Sequence, residues 1–84
     1  MKTFKEILKK EDPRVINMAY KILLYMKQGN SFVSSVEKAY NNDAVISTNA
    51  EKLLDKYLPG DRIKGLKYDE SSFNKFIKDY KLKK

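Results

Sequence analysis

The stretch Asp12-Pro13-Arg14-Val15-Ile16-Asn17-Met18-Ala19-Tyr20-Lys21-Ile22-Leu23-Leu24-Tyr25-Met26-Lys27-Gln28-Gly29 decides the fold. Aspartate caps a helix, because its carboxylate accepts a free backbone N–H, and proline suits the first helical position, where no N–H is needed. Val15, Met18, Ala19, Ile22 and Met26 then fall at helical spacing, and Ile16, Tyr20, Leu23 and Leu24 form a second stripe beside them. An apolar face this wide predicts a central helix over residues 13–28 with neighbours on two sides. Gly29 stands where a helix end needs a left-handed residue.

Working outward, the same punctuation recurs. Thr3 with Glu6 fits a capping box ahead of Phe4, Ile7 and Leu8. Ser31 caps a helix carrying Phe32, Val33, Val36, Ala39 and Tyr40, which Asn41-Asn42-Asp43 ends. Ala44 to Ile46 reads as a short apolar connector tucked into the core. Thr48 and Glu51 make a further capping box, for a helix with Ala50, Leu53, Leu54, Tyr57 and Leu58 that Pro59-Gly60 stops. Residues 61–68 keep neither period and read as a loop or one short strand. Asp69 to Ser72 opens a last helix with Phe73, Phe76, Ile77 and Tyr80 on one face. The expected fold is therefore all-α: a compact bundle of four to five short helices forming one small domain over residues 1–84.

Composition removes whole classes of chemistry. The 84 residues include no histidine and no cysteine, which eliminates the usual general base, the common zinc ligands and the ordinary nucleophilic triads. Ser34-Ser35 and Ser71-Ser72 have no such base beside them and read as residues of helix starts. Carboxylates are present, but Glu37-Lys38 and Glu51-Lys52 are adjacent pairs rather than the Asp…Glu-x-Lys spacing of metal-dependent nucleases. Gly60-Asp61-Arg62-Ile63-Lys64-Gly65-Leu66-Lys67 has the glycine spacing of a phosphate loop, yet lacks the lysine and hydroxyl residue that must follow the second glycine. The expectation is a protein that is not an enzyme and uses no cofactor or metal. The longest apolar run, Ile22 to Met26, is five residues, against about 20 for a membrane span. With no secretory apolar run and no disulfides, a cytoplasmic location is expected.

Charge carries the functional signal. The net charge is +7. Residues 1–30 hold seven basic and three acidic side chains, residues 31–60 three and four, and residues 61–84 eight and four, so the two ends supply all of it. The segment from Ile22 to Leu58 resembles a helix-turn-helix in outline, as small DNA-binding regulators do. Two features depart from that pattern. The connector from Asn41 to Ser47 exceeds the usual three or four residues and has no glycine. The second helix, about Asn49 to Leu58, balances Glu51 and Asp55 against Lys52 and Lys56. That argues against base readout, which leans on arginine and on Asn or Gln, with only Asn49 well placed.

Lysine acts on phosphate as a point charge. The expected binding residues are therefore Lys2, Lys5, Lys9 and Lys10 at the front, with Arg62, Lys64, Lys67, Tyr68, Lys75, Lys78, Lys81, Lys83 and Lys84 at the back. Tyr25 and Tyr68 are the tyrosines that apolar stripes account for least, and base stacking is the use an exposed one would have. Sixteen lysines against two arginines is the bias of AT-rich genomes, including those of phages and mobile elements. Two functions follow. The first is a non-enzymatic accessory or regulatory protein contacting nucleic acid through the terminal lysines. The second is an inhibitor, immunity factor or adaptor docking on an acidic protein surface, such as a nucleic-acid-binding machine. No segment signals an oligomeric state.

Overall fold

The computed structural model describes residues 12–61 and 63–82. Among them are four helices, α1 (Pro13–Lys27), α2 (Phe32–Ala39), α3 (Ala44–Asp55) and α4 (Glu70–Tyr80), with two short strands, β1 (Gly60–Asp61) and β2 (Gly65–Leu66), between α3 and α4. The helix expected near Thr3 to Leu8 lies outside the described residues.

α1 is the central helix that its two stripes require. Asp12 Oδ1 accepts the Arg14 N–H at 2.8 Å, and Pro13 takes the first helical position. The Arg14 guanidinium also hydrogen-bonds this carboxylate and holds its pKa below the ordinary aspartate range. At the other end Gly29 adopts φ 108°, and the Asn30 backbone and side chain both donate to the Tyr25 carbonyl. Val15, Met18, Ala19, Ile22, Leu23 and Met26 are buried, and α1 touches α2, α3 and α4. α4 closes the core with Phe73 and Phe76, both fully buried. Tyr20 stacks parallel to Phe73 at 6.3 Å, and Tyr57 meets Phe76 edge-on at 5.3 Å.

The start of α3 differs from expectation. Asp43 is the cap: its Oδ1 accepts the Ile46 N–H at 3.0 Å. Thr48 is an interior helical residue, and Ala44 to Ile46 is the first turn, not a connector. Two effects favour the earlier start. Aspartate caps at least as well as threonine and adds a negative charge at the positive end of the helix. The longer helix also aligns Ile46, Ser47, Ala50, Leu53 and Leu54 as one buried stripe. Only Ile46 of the supposed connector enters the core, while Val45 is 69% exposed.

Residues 61–68 resolve into a hairpin. Gly60 pairs with Leu66 and Asp61 with Gly65, antiparallel. The Lys67 N–H donates to the Pro59 carbonyl at 3.0 Å, extending the ladder. Gly60 adopts φ 95°, and a Cβ there would sit 2.9 Å from the Gly65 carbonyl oxygen, so only glycine fits without movement. Asp61 Oδ1 accepts the Lys64 N–H at 2.7 Å and ties the tip. Leu66 is buried and anchors β2 against α2. The absence of a period in this segment follows from strands of two residues, too short to show one.

Two predictions follow from the caps and the tyrosine contacts. In urea titrations Asp43→Ala should cost about 1 kcal/mol, while Thr48→Ala, at an exposed interior position, should be neutral or slightly stabilising. Equal losses from both would return the cap to Thr48. Burial, and then its 2.7 Å hydrogen bond to Asp79, raises the Tyr57 hydroxyl pKa above the ordinary tyrosine value. The folded state then holds this proton more tightly than the unfolded chain does. The stability it contributes is complete below about pH 10, the unfolded tyrosine pKa, and is lost as pH rises through the higher folded value. Denaturation midpoints above about pH 10 should therefore fall more steeply for the native chain than for Tyr57→Phe. Parallel alkaline slopes would refute the coupling.

Candidate nucleic-acid interface

The described lysines are all exposed, and among the described residues the one lysine that meets a carboxylate is Lys27, 3.5 Å from Glu70. The positive charge is therefore almost uncompensated by local pairing. Of the expected binding residues, Lys2, Lys5, Lys9, Lys10, Arg62, Lys83 and Lys84 lie outside the described residues. The others divide between two places. Lys64, Lys67 and Tyr68, carried by the hairpin and its exit, line a groove completed by Asn30, Ser31 and Val33 at the start of α2. Lys75 and Lys78 share the outward face of α4, opposite Phe73, Phe76 and Ile77, and Lys81 caps that helix in a left-handed conformation. The hairpin groove includes none of these α4 lysines.

The tyrosines are redistributed. Tyr25 and Tyr68, the two that stripes left unexplained, both pack on the core. The Tyr68 ring lies 6.0 Å from Phe73, and its hydroxyl donates to Glu70 Oε1 at 2.6 Å. Burial, and then this hydrogen bond, raises its pKa. Tyr40 is the exposed one, at 45%. It sits at the end of α2 and lines a second groove with Lys21, Lys38 and Asn41. The α2 stripe gave no sign of this, because Tyr40 falls at the C-cap, where the chain leaves helical geometry (ψ 132°) and the stripe stops predicting direction.

The helix-turn-helix outline is tighter than the sequence implied. α2 ends at Ala39 and α3 begins at Ala44, which leaves Tyr40 to Asp43 as a four-residue connector, within the usual length. Asn42, at φ 67°, takes the left-handed conformation a glycine often supplies. The earlier start of α3 accounts for the shorter connector, and left-handed Asn42 stands in for the missing glycine. The outward face of α3 carries Ala44, Val45, Thr48, Asn49 and Lys52, all exposed. Glu51 is half-buried at the flank, and Asp55 comes at the far end. The helix is neutral as a whole, but its first outward turns carry a lysine and no carboxylate.

The hairpin tip is the other feature the sequence did not reveal. Ile63 is 97% exposed beside Lys64, and Val33 is 60% exposed on the neighbouring α2. No group of three or more acidic side chains among the described residues is arranged to hold a metal ion. No helix among them is long and apolar enough to cross a membrane. Neither the family models, nor the curated proteins, nor the solved structures contain a match to this chain. What is shown is the class: a small, mainly helical fold carrying one two-stranded hairpin.

If the tip is a binding surface rather than part of the core, Ile63→Ser should leave the urea unfolding free energy within about 0.5 kcal/mol. Leu66→Ala, which removes the hairpin's buried anchor, should cost about 2–5 kcal/mol. A comparable loss from Ile63→Ser would make Ile63 a packing residue.

Proposed function

We propose that this chain is a non-enzymatic nucleic-acid-binding accessory or regulatory protein of the cytoplasm, holding phosphates through exposed lysines. The observation that carries this reading is the exposure of every described lysine with almost no ion pairing. Unpaired ammonium groups give up no internal contact when they meet phosphate, and they release condensed counterions from the nucleic acid. Lys64 and Lys67 beside the start of α2 and Lys75 and Lys78 on α4 are the described candidates. Lys21 and Lys38, which share a groove with the exposed Tyr40, join them. The lack of histidine and cysteine supports a binding role over catalysis.

A second reading has its own observation. The hairpin groove is mainly apolar, built on Met26, Phe32 and Leu66, with the exposed Val33 in its lining. Apolar side chains flanked by Lys64 and Lys67 suit an adaptor or inhibitor docked on an acidic protein, where the charge would speed association.

Fluorescence anisotropy with a labelled duplex, at 50 and 200 mM salt, tests the first reading. Four to six phosphate contacts should lower affinity roughly 10²–10³-fold between the two. Binding undetectable at low salt, or indifferent to salt, refutes it. Co-purification after nuclease treatment separates the two readings: a stoichiometric protein that stays bound supports docking, and loss of every partner supports nucleic acid.

A further inference from the structure

We propose that the groove between α1 and the end of α2 takes a segment of single-stranded nucleic acid, with a base stacked on the ring of Tyr40 and phosphates on Lys21 and Lys38. This names the strand form for the nucleic-acid reading above and rests on it.

Helical spacing builds one wall of this groove. Lys21, Leu24, Tyr25 and Gln28 recur every three to four residues, so α1 presents them along one side. The opposite wall is the end of α2, where Lys38, Ala39, Tyr40 and Asn41 line the same cavity. Its volume is about 390 Å³, within the range of about 300–1,000 Å³ usual for ligand sites. The same side of α1 continues toward the helix start. Arg14, Asn17, Met18 and Lys21 line a second cavity of about 150 Å³, which shares Lys21, Ala39 and Asn41 with the first. Together the two cavities follow α1 from Arg14 to Gln28, about 21 Å at 1.5 Å per residue. The result is an elongated channel, the shape that an extended strand fits.

The chemistry of the lining selects the ligand. No acidic side chain lines either cavity, and among the described residues neither Lys21 nor Lys38 pairs with a carboxylate. Arg14, at the far end, is held by Asp12 at 2.9 Å and lies near Asp43, so the two lysines are the cations left for phosphate. Tyr40 supplies an aromatic face. It is 45% exposed, and its ring and hydroxyl have no partner among the described residues. Tyr68, in the hairpin groove, is by contrast tied to Phe73 and Glu70. The exposed amides of Gln28 and Asn41 form no hydrogen bond either, which leaves donors and acceptors for a base edge or a sugar. A duplex keeps its base faces stacked inside and cannot use the ring, whereas a single strand stacks its bases on exposed aromatics beside cations. An acidic protein segment finds the better match in the hairpin groove, whose floor is apolar.

The test is anisotropy at about 50 mM salt with a labelled single strand, as DNA and as RNA, and with duplex DNA of the same length. The native chain should bind a single strand more tightly than the duplex, and a preference between the two strands identifies the one the groove takes. Tyr40→Ala should weaken single-strand binding roughly 5–100-fold and duplex binding by less than about twofold, while Tyr40→Phe, which keeps the ring, should bind like the native chain. The chain has no tryptophan, so Tyr40→Trp puts a single reporter in the groove. Its fluorescence should be quenched by a single strand and not by duplex, a readout of contact that does not depend on how Tyr40→Ala folds. Lys21→Ala with Lys38→Ala should flatten the log–log salt dependence of single-strand binding by about 1.4, the slope of two phosphate contacts. Equal losses on single strand and duplex in Tyr40→Ala, or no quenching in Tyr40→Trp, overturns base stacking and leaves the phosphate reading standing. No binding of either form at about 50 mM salt overturns both.

Discussion

Burial of α1 on two sides is the constraint on which the rest of the structure depends. One helix carries two apolar stripes, and neither can remain in water. α2 and α3 pack along it, and α4 meets it through the stacked pair Tyr20–Phe73. The buried apolar side chains of the other elements, Phe32, Leu54, Leu66 and Phe76 among them, join those of α1 in one core. The positions of α2, α3 and α4 are therefore set largely by how they meet α1. The hairpin follows from this arrangement, because Leu66 must reach the core between the end of α3 and the start of α4.

The start of α3 shows how a local choice acquires functional weight. Two caps compete within six residues, Asp43 and Thr48. Capping from Asp43 adds a full turn, and the added turn brings Ile46 into the core and turns Val45 out. The same choice shortens the connector to four residues and brings Thr48 and Asn49 onto the outward face. One hydrogen bond, Asp43 Oδ1 to the Ile46 N–H, thus bears both on the length of the helix and on which side chains of its first turns stay in solvent.

The lysines illustrate a different relation between sequence and surface. Their exposure was legible directly, since an ammonium group is rarely buried without a partner. Their division between the hairpin groove and the outward face of α4 was not. Adjacency in sequence separates Lys67 from Lys75 by one turn element and a helix start, and only packing against α1 decides which way each element faces. The packing of Tyr25 and Tyr68 on the core was hidden for a related reason. Each lies beside a stripe rather than in it, and reaches the core from the side, Tyr68 through Phe73 and Glu70.

By itself, the sequence determined that this protein is mainly helical, that its central helix lies within residues 13–28, and that histidine and cysteine chemistry is absent. These are properties of period, capping residues and composition, which act over a few residues and need no knowledge of partners in space. Tertiary structure alone decided where α3 begins, that residues 60–66 pair as a hairpin, and which polar and apolar side chains remain in solvent. Each of those is a choice between locally similar alternatives. Their local free energies differ by about a kilocalorie per mole, and burial against α1, worth about 1.5–3 kcal/mol per large apolar side chain, tips them.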